Sequence, residues 1–183
     1  MRNIIAINDG WLFHKGPVKK DKIPKKGKRN WESINLPHTW NNLDGQDGGS
    51  NYYRDKCWYC REIKVSLNAD EEVYIEFEGA NSVCDVYAGG ELIAHHEGGF
   101  STFRANLTPY IKRGKVKLSV AVDNSEKLRN IYPTTADFTF FGGLYRSVKL
   151  VVVNKTHFDL SYLGTKGVTA TPKVNDDGSA DVT

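Results

Sequence analysis

Alternation with a period of two residues dominates this chain. Val73, Ile75 and Phe77 are separated by Tyr74 and Glu76. Val116, Leu118, Val120 and Val122 are separated by Lys117, Ser119 and Ala121, and Val148, Leu150 and Val152 repeat the pattern. Strand side chains point alternately to two faces, so each run reads as an antiparallel strand with one face on a core. Gly89-Gly90 joins Val86-Tyr87-Ala88 to Glu91-Leu92-Ile93 and supplies the positive φ angles of a two-residue hairpin turn. No long stretch has a helical period, although Leu107 to Lys112 has room for one turn.

Strand-like runs lie near 32–36, 57–66, 72–78, 82–88, 91–96, 102–106, 115–123 and 144–153, about eight in all. An all-β chain with that number of short strands fits a jelly-roll β-sandwich. The irregular segment 124–143 then reads as a loop at one end, and loops of that length are often functional. After Asn154 the texture changes. Val168 to Val174 reads as one strand, Asn175-Asp176-Asp177-Gly178 as a turn, and Ala180 to Thr183 as the beginning of another strand. Two strands cannot bury a core. The expected organisation is a sandwich over 1–155, followed over 156–183 by a linker and the truncated start of a second domain, so the chain reads as a fragment.

The net charge is +3, and its excess sits in one stretch. Lys15, Lys19, Lys20, Lys22, Lys25, Lys26, Lys28 and Arg29 are opposed only by Asp21, among Gly16, Pro17, Pro24 and Gly27. Without those eight bases and one acid, 17 basic residues face 21 acidic ones, a net of −4. A nucleic-acid-binding domain carries positive charge on its folded body, so this stretch reads as a solvated loop and nucleic acid is not an expected partner. No apolar run approaches the roughly 20 residues that cross a bilayer, so no membrane partner is expected either. The start, Met1-Arg2-Asn3-Ile4, holds no apolar stretch of signal-peptide length. A cytoplasmic location follows, or a periplasmic or secreted one if a leader has been removed.

Three cysteines, Cys57, Cys60 and Cys84, argue against a full disulfide framework. Cys57-Trp58-Tyr59-Cys60 spells C-x-x-C, but a redox pair sits at a helix N-terminus and this one lies in a strand run. Positions three apart in a strand point to opposite faces, so the sulfurs diverge. No second cysteine pair or nearby histidine completes a zinc site, and the cysteines read as structural. Asp44 to Ser50 and Asn175 to Ser179 have the composition of calcium loops without the later ligands, and Gly beside Asp is ordinary turn chemistry. No metal site is expected. His95 and His96 are adjacent and face opposite ways, and His14, His38 and His157 have no partner spacing.

There is no G-x-S-x-G elbow, and the glycine pairs follow neither phosphate-binding pattern. The adjacent carboxylates Glu71-Glu72 and Asp176-Asp177 diverge in turn regions. No catalytic residue is expected in this chain. What remains is aromatic. Trp31, Trp40, Tyr52, Tyr53 and Trp58 cluster early, and Tyr132, Phe138, Phe140 and Phe141 occupy the long loop. Most read as fillers of the core or of an interface, but aromatic faces with Asp, Asn or Arg nearby also suit sugar recognition. Asp137 stands in this aromatic stretch with no adjacent cation, just before Gly142-Gly143.

Asp137-Phe138-Thr139-Phe140-Phe141-Gly142-Gly143-Leu144-Tyr145-Arg146 resembles the D-x-x-x-x-G-G-I/L-Y/F-R segment of glycoside hydrolase family 2, which includes β-galactosidases, β-glucuronidases and β-mannosidases. Other stretches agree in order: Asn8-Asp9-Gly10-Trp11-Leu12-Phe13, Ile34-Asn35-Leu36-Pro37-His38-Thr39-Trp40 and Tyr53-Arg54-Asp55-Lys56-Cys57-Trp58-Tyr59. Phe77-Glu78-Gly79-Ala80, His96-Glu97-Gly98-Gly99-Phe100 and Val122-Asp123-Asn124 follow, so the resemblance covers residues 8 to about 154.

The resemblance implies an amino-terminal galactose-binding-like jelly roll, with Thr171-Pro172-Lys173-Val174 opening an immunoglobulin-like domain. It places the catalytic glutamates on a later TIM barrel outside the chain, in a β-galactosidase-like enzyme that hydrolyses terminal β-glycosides with retention. It also implies that Asp137 binds sugar hydroxyls, that Arg54 faces the same site, and that Arg146 is a buried packing partner. The expected partners are carbohydrate and the TIM-barrel and immunoglobulin-like domains of the same parent chain. No cofactor is required here, and a cation elsewhere in the parent stays open. Two alternatives also stay open: a stand-alone carbohydrate-binding module with no hydrolytic partner, and a purely structural domain in which Asp137 orders its loop.

Overall fold

A computed structural model describes residues 2–18, 30–44, 53–128, 131 and 140–183. Among the described residues, ten strands form two antiparallel sheets. The smaller has the order β1 (Asn3–Ala6), β10 (Val148–Asn154), β5 (Glu71–Phe77), β8 (Phe103–Asn106). The larger has the order β3 (Glu32–Ile34), β2 (Trp11–His14), β4 (Lys56–Lys64), β9 (Lys115–Asp123), β6 (Val83–Ala88), β7 (Glu91–Glu97). A hairpin of β11 (Pro172–Val174) and β12 (Ala180–Val182) follows, exposed along both strands. The all-β sandwich read from the alternation is therefore present.

Period-two patterning produces the core directly. Cys57, Tyr59 and Ile63 of β4 and Val116, Leu118, Val120 and Val122 of β9 share one buried cluster with Val73, Ile75 and Phe77 of β5 and with Val148, Leu150 and Val152 of β10. Phe77 stacks on Phe103 with centroids 4.9 Å apart. Burying each such side chain contributes about 1.5–3 kcal/mol. The β6–β7 turn has φ of 60° at Gly89 and 97° at Gly90, as the glycine pair requires. Cys57 points into the core, whereas Cys60 donates its thiol hydrogen to the Leu118 carbonyl at 3.2 Å, and the three cysteines are buried as thiols rather than joined in a disulfide.

Three sequence expectations change. The strand count lacked β1 and β2: β1 is exposed along its whole length, so it carries no alternation to read. The last sandwich strand starts at Val148 rather than 144, because the backbone of residues 143 and 144 is bonded to Asn81 and His38 instead of to a neighbouring strand. Arg146 is exposed, and its guanidinium lies 5.4 Å from the Tyr145 ring centroid. Residue 146 lies in a bend before β10 begins, so the alternation that would align it with the buried Leu144 and Val148 does not hold there, and its side chain turns outward.

The outer face of the smaller sheet is also covered. Tyr74, Val151 and Val153 form a second buried cluster with Leu160. Arg104 extends from β8 to donate to the carbonyls of Leu160 and Thr165, at 3.1 and 2.7 Å. Gly164 lies where a Cβ would come within 2.2 Å of the Thr102 carbonyl oxygen. The chain past residue 155 thus crosses this face before reaching β11.

Candidate functional site

Loops gather at one end of the sandwich, and a short ribbon around Gly142 is fixed among them. Trp40 is buried and stacks on Phe13 at 6.1 Å. A Cβ on Gly142 would sit 2.4 Å from the Trp40 ring and 2.5 Å from Asn124 Nδ2, so only glycine lets the ribbon approach. Gly143 adopts φ of 113°, and a Cβ there would meet the Tyr59 hydroxyl at 2.6 Å. Asn81 and Gly143 exchange backbone hydrogen bonds of 3.0 and 3.1 Å, and Asn81 Nδ2 donates to the Phe141 carbonyl at 2.8 Å.

Tyr59 lies under the ribbon, fully buried. Its hydroxyl accepts from the Leu144 N–H at 3.3 Å and is 2.9 Å from His38 Nδ1. Burial lowers the His38 pKa despite the charge of Glu32, which favours a neutral ring able to accept the phenolic hydrogen. Burial also raises the Tyr59 phenol well above its ordinary value, keeping that hydrogen in place.

Asn41, wholly buried, ties three segments together. Its Oδ1 accepts from the Gly142 N–H at 2.9 Å and from Asn124 Nδ2 at 3.4 Å. Its Nδ2 donates to the Tyr53 carbonyl at 2.9 Å and to Asp44 at 3.2 Å. The Tyr53 N–H donates to Asp44 at 2.8 Å, and Trp40 Nε1 donates to the Tyr53 carbonyl at 3.3 Å. Beyond Arg54, the Asp55 N–H donates to Asn124 Oδ1 at 3.0 Å. Lys15 Nζ sits 4.4 Å from the centre of the Tyr53 ring. Burial, with Cys57 and Asp55 nearby, pushes the Tyr53 phenol up to about 12.

Of the two substrate-contact residues expected from the resemblance, Arg54 is at this end, half-buried between two held peptide groups. Asp137 lies outside the described residues, as do Tyr52, Tyr132, Phe138, the lysine-rich stretch 19–29 and residues 45–50. The asparagines were not singled out from sequence. Asn124 closes a family-like stretch and Asn41 immediately follows Trp40 in another, but an amide gives no periodic signal. Among the described residues, no group of three or more His, Cys, Asp or Glu is arranged to hold a metal ion.

The two antiparallel sheets packed as a sandwich define an all-β domain, and comparison with known proteins specifies its class. Residues 28–154 match the model of the glycosyl hydrolases family 2 sugar binding domain. A putative β-glucuronidase of Formosa agariphila is 38% identical over 93% of this chain, which spans 20% of that protein. A β-galactosidase of Thermoanaerobacter pseudethanolicus is 32% identical over 85% of the chain and 22% of its own length. The crystal structure of an FMN-binding β-glucuronidase from Facaelibacterium prausnitzii L2-6 superposes with a TM-score of 0.80 at 41% identity, covering 100% of this chain and 27% of that one. The chain belongs to glycoside hydrolase family 2, as its sugar-binding domain. It spans about a fifth to a quarter of these relatives, a relation that does not favour the stand-alone binding module.

Proposed function

We propose that this domain serves a retaining β-glycosidase by flanking a TIM-barrel active site and lending it the loop end described above. The match to the family 2 sugar-binding domain carries the reading. The catalytic carboxylates belong to the barrel, and β11 and β12 open an immunoglobulin-like domain between the two. Asp137 stands four positions before Phe141, whose carbonyl is held by Asn81. Its carboxylate accepts bonds from two adjacent sugar hydroxyls, and Arg54 lines the same subsite. Charge-assisted bonds of this kind orient the sugar before bond cleavage. The chain requires no cofactor, and a cation elsewhere in the parent is compatible with this role.

The substrate is a terminal β-glycoside. The similar proteins are named for glucuronide and for galactoside hydrolysis, so both aryl β-glycosides should be assayed on the full-length protein. Hydrolysis of at least one, with retention, is expected. Asp137→Asn should lower kcat/KM by about 100-fold while the fold stays intact. Absence of turnover rejects the enzyme reading, and an unchanged rate in the variant rejects the substrate role of Asp137.

A further inference from the structure

Both peptide groups that flank Arg54 are held by side-chain amides. On one side the Tyr53 carbonyl accepts from Asn41 Nδ2 at 2.9 Å, and on the other the Asp55 N–H donates to Asn124 Oδ1 at 3.0 Å. The two amides also meet, Asn124 Nδ2 to Asn41 Oδ1 at 3.4 Å, and the same Oδ1 takes the Gly142 N–H at 2.9 Å. Asn41 is wholly buried and Asn124 nearly so. Bonds to buried, inflexible groups fix a backbone more tightly than bonds to exposed ones, since neither partner has water to turn to.

We infer that Asn41 and Asn124 are positioning residues, a bracket that sets the backbone of Arg54 and locks it in register with the Gly142 ribbon. This rests on the reading of Arg54 as a substrate-facing residue. The amide is the required group. Asn41 uses its NH2 as donor to Tyr53 and Asp44 and its oxygen as acceptor for Gly142 and Asn124. An aspartate of the same shape can only accept when ionised, so it would face the Tyr53 carbonyl and the Asp44 carboxylate with repulsion. Arg54 needs this help because a long side chain transmits any backbone error to its guanidinium, and small misplacements are costly to catalysis.

The test is a double-mutant cycle in the full-length enzyme: Asn41→Ala, Arg54→Ala and the combination, read as kcat/KM on the better aryl β-glycoside. N41A should lower kcat/KM by about tenfold. In the R54A background the further loss should be at least about threefold smaller, because there is no guanidinium left to place. Thr108→Ala serves as the stability control. It removes the hydroxyl that accepts from the Val73 N–H at 2.9 Å, at the opposite end of the sandwich, and should leave kcat/KM unchanged. If N41A does not fold, Asn124→Ala takes its place: it removes the acceptor of the Asp55 N–H and should show the same coupling. Effects that simply multiply, in an active enzyme that R54A impairs, overturn the bracket alone. A wild type without glycosidase activity, or an R54A variant as active as wild type, overturns the functional reading and the bracket with it.

Discussion

Arg104 Nε and Glu76 Oε2 lie 2.5 Å apart on neighbouring strands, their side chains only 6% and 9% exposed. Water is excluded by the segment that follows β10, and Arg104 holds that segment in turn through the carbonyls of Leu160 and Thr165. Removing Arg104 leaves the buried Glu76 carboxylate facing only the more distant and partly exposed Arg2 guanidinium at 4.0 Å among the described ion pairs, and two carbonyls also lose their donor. Arg104→Met should therefore cost about 3 kcal/mol in urea unfolding. Combining it with Glu76→Leu should recover much of that loss, because the poorly compensated carboxylate is gone. A single variant as stable as wild type would show that the segment does not depend on the pair.

The Gly142-Gly143 pair gives a second, steric prediction. Gly142→Ala drives a methyl group to 2.4 Å from the Trp40 ring. Overpacking a rigid aromatic of this kind costs about 1–3 kcal/mol, and it also displaces the ribbon that carries Phe141. Gly178→Ala makes the contrast: its φ of 82° is strained for alanine, but nothing lies within 4 Å. Its cost should stay near the roughly 1 kcal/mol of a left-handed residue, with no effect on turnover by the full-length enzyme. Equal losses of activity in the two variants would contradict a special role for the ribbon.

Two histidines give opposite pH signatures. Burial lowers the folded pKa of His38 below its ordinary 6.5. As pH falls below that value the unfolded chain takes up a proton that the folded one resists, so stability declines on acidification. His38→Gln should flatten this decline. His95 is raised instead, through its hydrogen bonds to Asp85 and then Glu97. Its contribution is full below 6.5 and is lost as pH rises through the folded pKa. His95→Ala should thus lower the Tm relative to wild type only in acid, with the gap closing in alkaline buffer and in high salt. Both effects are read from Tm against pH at low ionic strength.

What was legible in the sequence is what repeats. The inward faces of β5, β9 and β10 follow from alternating Val, Leu, Ile and Phe, and the β6–β7 turn follows from Gly89-Gly90. The outward covering of the smaller sheet was not legible. Leu160 and Arg104 meet across the strap by backbone carbonyls, which leave no residue pattern. At the loop end the motif glycines were visible, and Trp40 gives Gly142 its steric reason. The asparagines that join Tyr53, Asp55 and Gly142 were not visible, because their partners lie 12, 69 and 101 positions away and are main-chain groups.

The C-x-x-C sequence makes a last prediction, of chemical silence. Cys57 faces the core and Cys60 the opposite side of β4, so their sulfurs cannot meet without unpairing the strand from β2 and β9. Burial pushes the Cys57 thiol up to about 12, against the weaker opposing pull of the Gly16 N–H. Burial also raises Cys60 and Cys84. The thiolate is the nucleophile, and almost none is present at neutral pH. Iodoacetamide treatment of the native protein, followed by peptide mass analysis, should leave Cys57, Cys60 and Cys84 unmodified, and the same treatment in urea should alkylate all three. Rapid native labelling of Cys57, or an oxidised Cys57–Cys60 pair in the folded protein, would mean that β4 opens far more readily than its place in the middle of the larger sheet allows.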